Sequence, residues 1–136
     1  MGKTSGLSDL KELIRKMEPV LNDGEYVFTS VKEISSIPRA IAIAEIKEKE
    51  GITVVLPKVK ADQLELAYDF VAAWITLNVH SALEAVGLTA AFSAALGKEG
   101  ISCNVIAGYY HDHIFVATQD RERAMKVLWE MTQNQT

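Results

Sequence analysis

The chain has 136 residues, 49% hydrophobic and 24% charged, which is enough apolar material for one ordinary globular core or two small units sharing one. A formal net charge of −4 without any Lys/Arg-rich run argues against a nucleic-acid partner, and no apolar run approaches the roughly 20 residues of a membrane-spanning helix. The opening residues lack the apolar stretch of a secretory signal, and the single cysteine, Cys103, rules out an internal disulfide, so a cytoplasmic protein is expected.

Leu7, Leu10, Ile14 and Met17 recur at helical spacing, with Ser8 placed to cap the helix and Asp9 near the positive end of its dipole. Pro19 is expected to close this helix. After the turn residues Asn22, Asp23 and Gly24, residues 25–31 alternate as a strand. Residues 40–46 read as a second strand, with Ile41 and Ile43 on one face and alanines on the other. The charged residues 47–51 form the solvated tip of a hairpin into a third strand, Ile52–Pro57, and residues 60–66 make one short helix.

In the second half, residues 70–79 form a strand with Val71, Ala73, Ile75, Leu77 and Val79 on a core face and Trp74, Thr76 and Asn78 on the other. A helix follows from Gly87, with Leu88, Ala91, Phe92, Ala95 and Leu96 as its apolar stripe, and ends near Gly100. Residues 101–107 and 114–117 are two more strands, joined by a hairpin at residues 108–113. A last helix starts near Asp120 and turns Ala124, Leu128 and Met131 inward, with Val127 at the edge of that stripe.

Strand, helix, strand, strand, helix is the order of a ferredoxin-like unit missing its final strand. Such a sheet must take a strand from elsewhere or leave an edge open to pairing. The first half, read as helix, three strands and a short helix, has strands to lend. The expected fold is therefore α+β, with two ferredoxin-like halves, residues 1–67 and 68–136, whose antiparallel sheets are covered by helices. Each half is incomplete alone, and pairing into a homo-oligomer, a dimer or tetramer, is expected.

Two places carry candidate binding chemistry. The turn into the second-half helix, at Gly87, Leu88 and Thr89, presents backbone N–H groups without intrahelical partners where the dipole favours an anion such as a carboxylate. The plainer reading is that Gly87 only permits a strand-to-helix turn. The second place is the hairpin Tyr109, Tyr110, His111, Asp112 and His113, where Asp112 offers a counter-charge to an ammonium group. Here the plainer reading is an Asp-favoured turn with aromatics covering a sheet edge. His80, His111 and His113 raise the question of a metal, but neither HExxH nor CxxC is present and no metal or other cofactor is expected. Cys103 reads as a buried small hydrophobe rather than a nucleophile.

The apolar strand before His80, the block SALEAVGLTAAFSAAL followed by GISCNV, and the turn YYHDHIFV resemble the ACT-domain superfamily. The resemblance is strongest over residues 64–131, and is to short bacterial proteins with two tandem ACT-like halves described as predicted regulators of amino-acid metabolism. The block VGLTAAFSAALGKEGIS is also similar to the corresponding helix of aspartokinase regulatory domains. The resemblance implies a non-enzymatic module that binds an amino acid or similar metabolite where two ACT units meet. It places carboxylate-side contacts at Val86, Gly87, Leu88 and Thr89, and partner-side contacts at Asn104, Val105, Ile106 and Asp112. The alternative is a ligand-independent oligomerisation or interaction module built on the open sheet edge. An enzyme or metal protein using the histidines, Asp112 or Cys103 is the weakest of the three readings.

Overall fold

The computed structural model describes residues 6–79 and 87–134, with the side chains of the first helix described from Asp9 onward. In chain order the elements are α1 (Gly6–Lys16), β1 (Glu18–Leu21), β2 (Tyr26–Val31), β3 (Ala44–Lys47), β4 (Ile52–Pro57), α2 (Lys58–Gln63), β5 (Val71–Asn78), α3 (Leu88–Lys98), β6 (Asn104–Ala107), β7 (Asp112–Ala117) and α4 (Arg121–Gln133). They fall into two compact units. One combines Met1–Asn22 with Trp74–Thr136, and the other is Asp23–Ala73.

In the Asp23–Ala73 unit, β4 lies between β2 and β3, all antiparallel, and the first residues of β5 pair with β2 at Tyr26↔Ala72 and Val27↔Val71. Alternation along the strands sets one face as core. The register joins Val27 to Leu56 and Thr29 to Val54, and Val27, Val54 and Leu56 cluster with Ile37 and Ala61 at 0–2% exposure. The polar member of that row, Thr29, is buried because its hydroxyl donates to the Ala67 carbonyl at 2.7 Å. The expected strand over residues 40–46 is displaced. Pro38, with φ −59°, leads into a 3-10 turn at Arg39–Ile41, and pairing starts only where the Ile43 amide donates to Val55 at 2.7 Å. Ile41 and Ala42 still reach the core, from the turn rather than from a strand. The short helix begins at Lys58, directly after Pro57, rather than at Lys60.

In the other unit, β5 pairs with β1 and with β7, and β7 pairs with β6. Ile75, Leu77 and Val79 are buried as the alternation requires, and Leu88, Phe92 and Leu96 of α3 are buried too, at 0–2% exposure. Fully burying one such side chain stabilises by roughly 1.5–3 kcal/mol. Helix α3 ends in a Schellman arrangement. Gly100 takes φ +74°, its amide donates to Gly97, and the Ile101 amide donates to Leu96 at 3.0 Å. Ala124 and Leu128 of α4 are buried, while Met131 is half-buried.

The first residues of the chain depart from expectation. Helix α1 starts at Gly6, which puts Ser8 inside it rather than at its cap, and ends at Lys16 before Pro19 is reached. Pro19 instead sits in β1, which runs antiparallel to the end of β5 from Glu18↔Asn78 to Leu21↔Ile75. A proline without an N–H is tolerated there because an edge strand does not need every donor. Two further strand limits move. The strand over residues 101–107 begins only at Asn104, whereas the strand expected from Ile114 begins at Asp112, leaving a four-residue turn closed by the Gly108 amide donating to His111 at 2.9 Å.

Candidate functional site

Helix α3 opens on Gly87 at φ +93°, ψ −16°, a left-handed conformation that costs little only for glycine. No side chain caps this end, and the first helical bond runs from the Ala91 amide to the Gly87 carbonyl at 2.9 Å. A Cβ added at Gly87 would lie 3.1 Å from Leu10 Cδ2, so α1 packs against this turn. Leu88 is buried and can offer a ligand only its backbone, whereas Thr89 is exposed. Val86 and His80, both singled out in the sequence, lie outside the described residues.

Asp112 is not in a turn. It opens β7 opposite Ala107 and is half-buried. Burial pushes its carboxyl above the ordinary carboxylate range, and the neighbouring His113 opposes that shift. Ile106 pairs with His113, Val105 with Ile114, and Asn104 with Phe115, whose carbonyl accepts from Asn104 Nδ2 at 3.4 Å. These three residues lie on β6, which among the described residues pairs only with β7 and leaves its outer edge open. Trp74 stacks on Phe115, and Thr76 Oγ1 lies 3.3 Å from His113 Nδ1, across β5 and β7.

A polar row that sequence reading missed links Asn22, β5 and β7. Asn22 Nδ2 donates to the Trp74 carbonyl at 3.2 Å and to Thr76 Oγ1 at 3.0 Å, and its backbone amide donates to Trp74 at 2.9 Å. The Trp74 indole N–H donates to His113 Nδ1 at 3.1 Å, and Thr76 Oγ1 lies 3.3 Å from that same nitrogen. An indole can only donate, so Nδ1 must accept, which places the ring proton on Nε2 and keeps His113 neutral. Burial first, then the charge of His111, hold His113 below the ordinary histidine range, against a smaller pull from Asp112. The alternation had already put Trp74 and Thr76 on one face, but nothing in the sequence said that His113 would stand across from them.

That commitment of Nδ1 weakens the metal reading. Among the described residues no group of three or more His, Cys, Asp or Glu side chains is placed to hold an ion. Cys103 is half-buried, and burial pushes its thiol up while a hydrogen bond with Ser93 opposes the shift, which disfavours the thiolate needed for nucleophilic chemistry. Tyr109 and Tyr110 project from the hairpin at 80% and 73% exposure, edge to face with each other. Among the described residues no helix is long and apolar enough to cross a membrane.

The chain belongs to the ACT-domain family, which matches it twice, over residues 5–73 and 70–130. It is related to a Vibrio cholerae protein of unknown function described as a possible transport protein, at 47% identity over 95% of this chain and 100% of that one, with a TM-score of 0.85. It also shares its fold with aspartokinase alpha and beta subunits, at 12% identity over 85% of this chain and 97% of that one and a TM-score of 0.62. The regulatory subunit of aspartate kinase from Thermus thermophilus, in a ligand-free form, matches at 7% identity over 83% of this chain and 95% of that one, with a TM-score of 0.60. A comparison with curated proteins gives no match.

Proposed function

We propose that this tandem ACT protein is a non-enzymatic regulatory module that binds a free amino acid or similar small metabolite. The observation that supports the reading is the left-handed Gly87 that opens α3 with no side chain capping the helix. A ligand carboxylate would lie on the first amides of α3, at Leu88 and Thr89, where the helix dipole favours negative charge. Its ammonium would face Asp112, and Asn104, Val105 and Ile106 on the open β6 edge would meet a second copy of the chain. The family resemblance would add Val86, outside the described residues, to the carboxylate side. In this reading the two architectural halves are residues 1–67 and 68–136, and β1, paired with β5, would supply a strand that the second half lacks.

Calorimetric titration with the twenty common amino acids tests this, and binding of at least one at millimolar concentration or below is expected. Gly87→Asp and Gly87→Asn separate ligand from fold, because both side chains tolerate a left-handed backbone and are nearly the same size. Gly87→Asp should lose far more affinity than Gly87→Asn by repelling the carboxylate. Equal affinities in the two variants would remove the anion from that position.

A second reading rests on the outer edge of β6, unpaired among the described residues, beside the exposed Tyr109 and Tyr110. In it the chain is a ligand-independent oligomerisation or interaction module. It predicts an oligomer in sedimentation that metabolites leave unchanged, and a monomer at all concentrations would eliminate it.

A further inference from the structure

A groove of about 550 Å³ opens in the Asp23–Ala73 unit, whereas Gly87 and Asp112 belong to the other unit. Its apolar wall is Phe28 of β2 and Phe70, with ring centroids 6.2 Å apart and planes tilted by 53°. Tyr68, Asp69, Ser30 and Thr53 line the groove beside them. Asp69 is the charged side chain among the described lining residues, and no Lys or Arg joins it.

The groove is held in shape by interactions that the fold alone does not demand. The Thr29 hydroxyl bonds to the Ala67 carbonyl at 2.7 Å and ties the segment carrying Tyr68, Asp69 and Phe70 beside β2. Tyr68 is fixed from outside the groove, its phenol donating to Asp62 at 2.7 Å. Ser30 Oγ lies 2.9 Å from where a Cβ on Gly51 would be, so Gly51 leaves the space that this hydroxyl occupies. Thr53 donates its proton to the Glu48 carboxylate, which leaves lone pairs on its oxygen to accept.

Aromatic faces attract cations, a carboxylate attracts cations, and hydroxyl oxygens accept N–H bonds. We propose that this groove binds a small protonated organic amine, with its apolar body on Phe28 and Phe70 and its ammonium on Asp69 and the Ser30 and Thr53 hydroxyls. The lining has no cation for a carboxylate, so the groove selects amines over amino acids. This separates it from the site at Gly87, and either can fail without the other.

The test is an NMR titration of the labelled full chain with 2-phenylethylamine, with 3-phenylpropionate as the anion of matched size and phenylalanine as the zwitterion. The expected result is saturable shifts of the Phe28, Phe70 and Asp69 signals with the amine at millimolar concentration, and binding at least about ten-fold weaker for the other two. Asp69→Asn, at an exposed position where the fold is preserved, should weaken the amine about ten-fold. No shifts at these residues, equal binding of 3-phenylpropionate, or an unchanged Asp69→Asn would each overturn the proposal.

Discussion

Replacing Gly87 by alanine isolates how much of this position is demanded by the backbone. At φ +93° an L-residue meets its own carbonyl geometry, at a cost of roughly 1–2 kcal/mol. The new Cβ would also lie 3.1 Å from Leu10 Cδ2, but that atom ends a flexible side chain and needs to give by only a few tenths of an ångström. The torsional cost therefore dominates. For a chain of this size it lowers the melting temperature by about 3–8 °C in thermal unfolding followed by circular dichroism. Adding Leu10→Ala to Gly87→Ala removes the close contact without restoring stability, and Gly87→Asn, which tolerates the left-handed region, loses less than half as much. An unchanged melting temperature in Gly87→Ala would refute the reasoning, as would recovery of stability on adding Leu10→Ala.

Acidification should destabilise the protein through His113. Its folded pKa lies below the ordinary 6.5, so its stability contribution is complete above about pH 6.5 and is lost as pH falls through the lowered folded value. Asp112 has the opposite sign and a lower range, its contribution being lost as pH rises from 3.8 through its raised folded value. In urea unfolding, the stability difference between pH 7.5 and pH 5.5 should shrink in His113→Gln, whose side-chain carbonyl still accepts from Trp74, and an unchanged difference would acquit His113. Asn22→Ala removes side-chain bonds to the Trp74 carbonyl and Thr76 and should cost about 1 kcal/mol, with faster amide exchange confined to β1 and its partners on β5. Tyr109→Ser with Tyr110→Ser should leave stability within about 0.5 kcal/mol, because both rings are exposed.

Periodicity made the second half readable. The spacing of Leu88, Phe92 and Leu96, the alternation from Ala73 to Val79 and the glycine at position 100 each act over a few residues, and each element formed where local preference and burial agree. What escaped depended on partners distant in sequence. Strand β1 is four residues long and contains Pro19, so local preference argues against it, and only the edge of β5 makes it a strand. The row Asn22, Trp74, Thr76 and His113 is invisible for the same reason, since its members span more than ninety positions and meet only through pairing. At residues 39–43 a strong local signal prevailed instead, with Pro38 setting a turn that the apolar alternation concealed. At the candidate site the Gly87 turn was legible as a helix start, but its contact with Leu10 was not. Asp112 was assigned to a turn because Asp favours turns, whereas it pairs with Ala107 in the ladder.

The central claim is tested most directly by a crystal structure of the protein grown with an equimolar mixture of the twenty amino acids. The account predicts one amino acid at the Gly87 end of α3, its carboxylate accepting from the Leu88 and Thr89 amides and its ammonium facing Asp112. That end empty at saturating concentration, or the amino acid seated elsewhere on the chain, would contradict it.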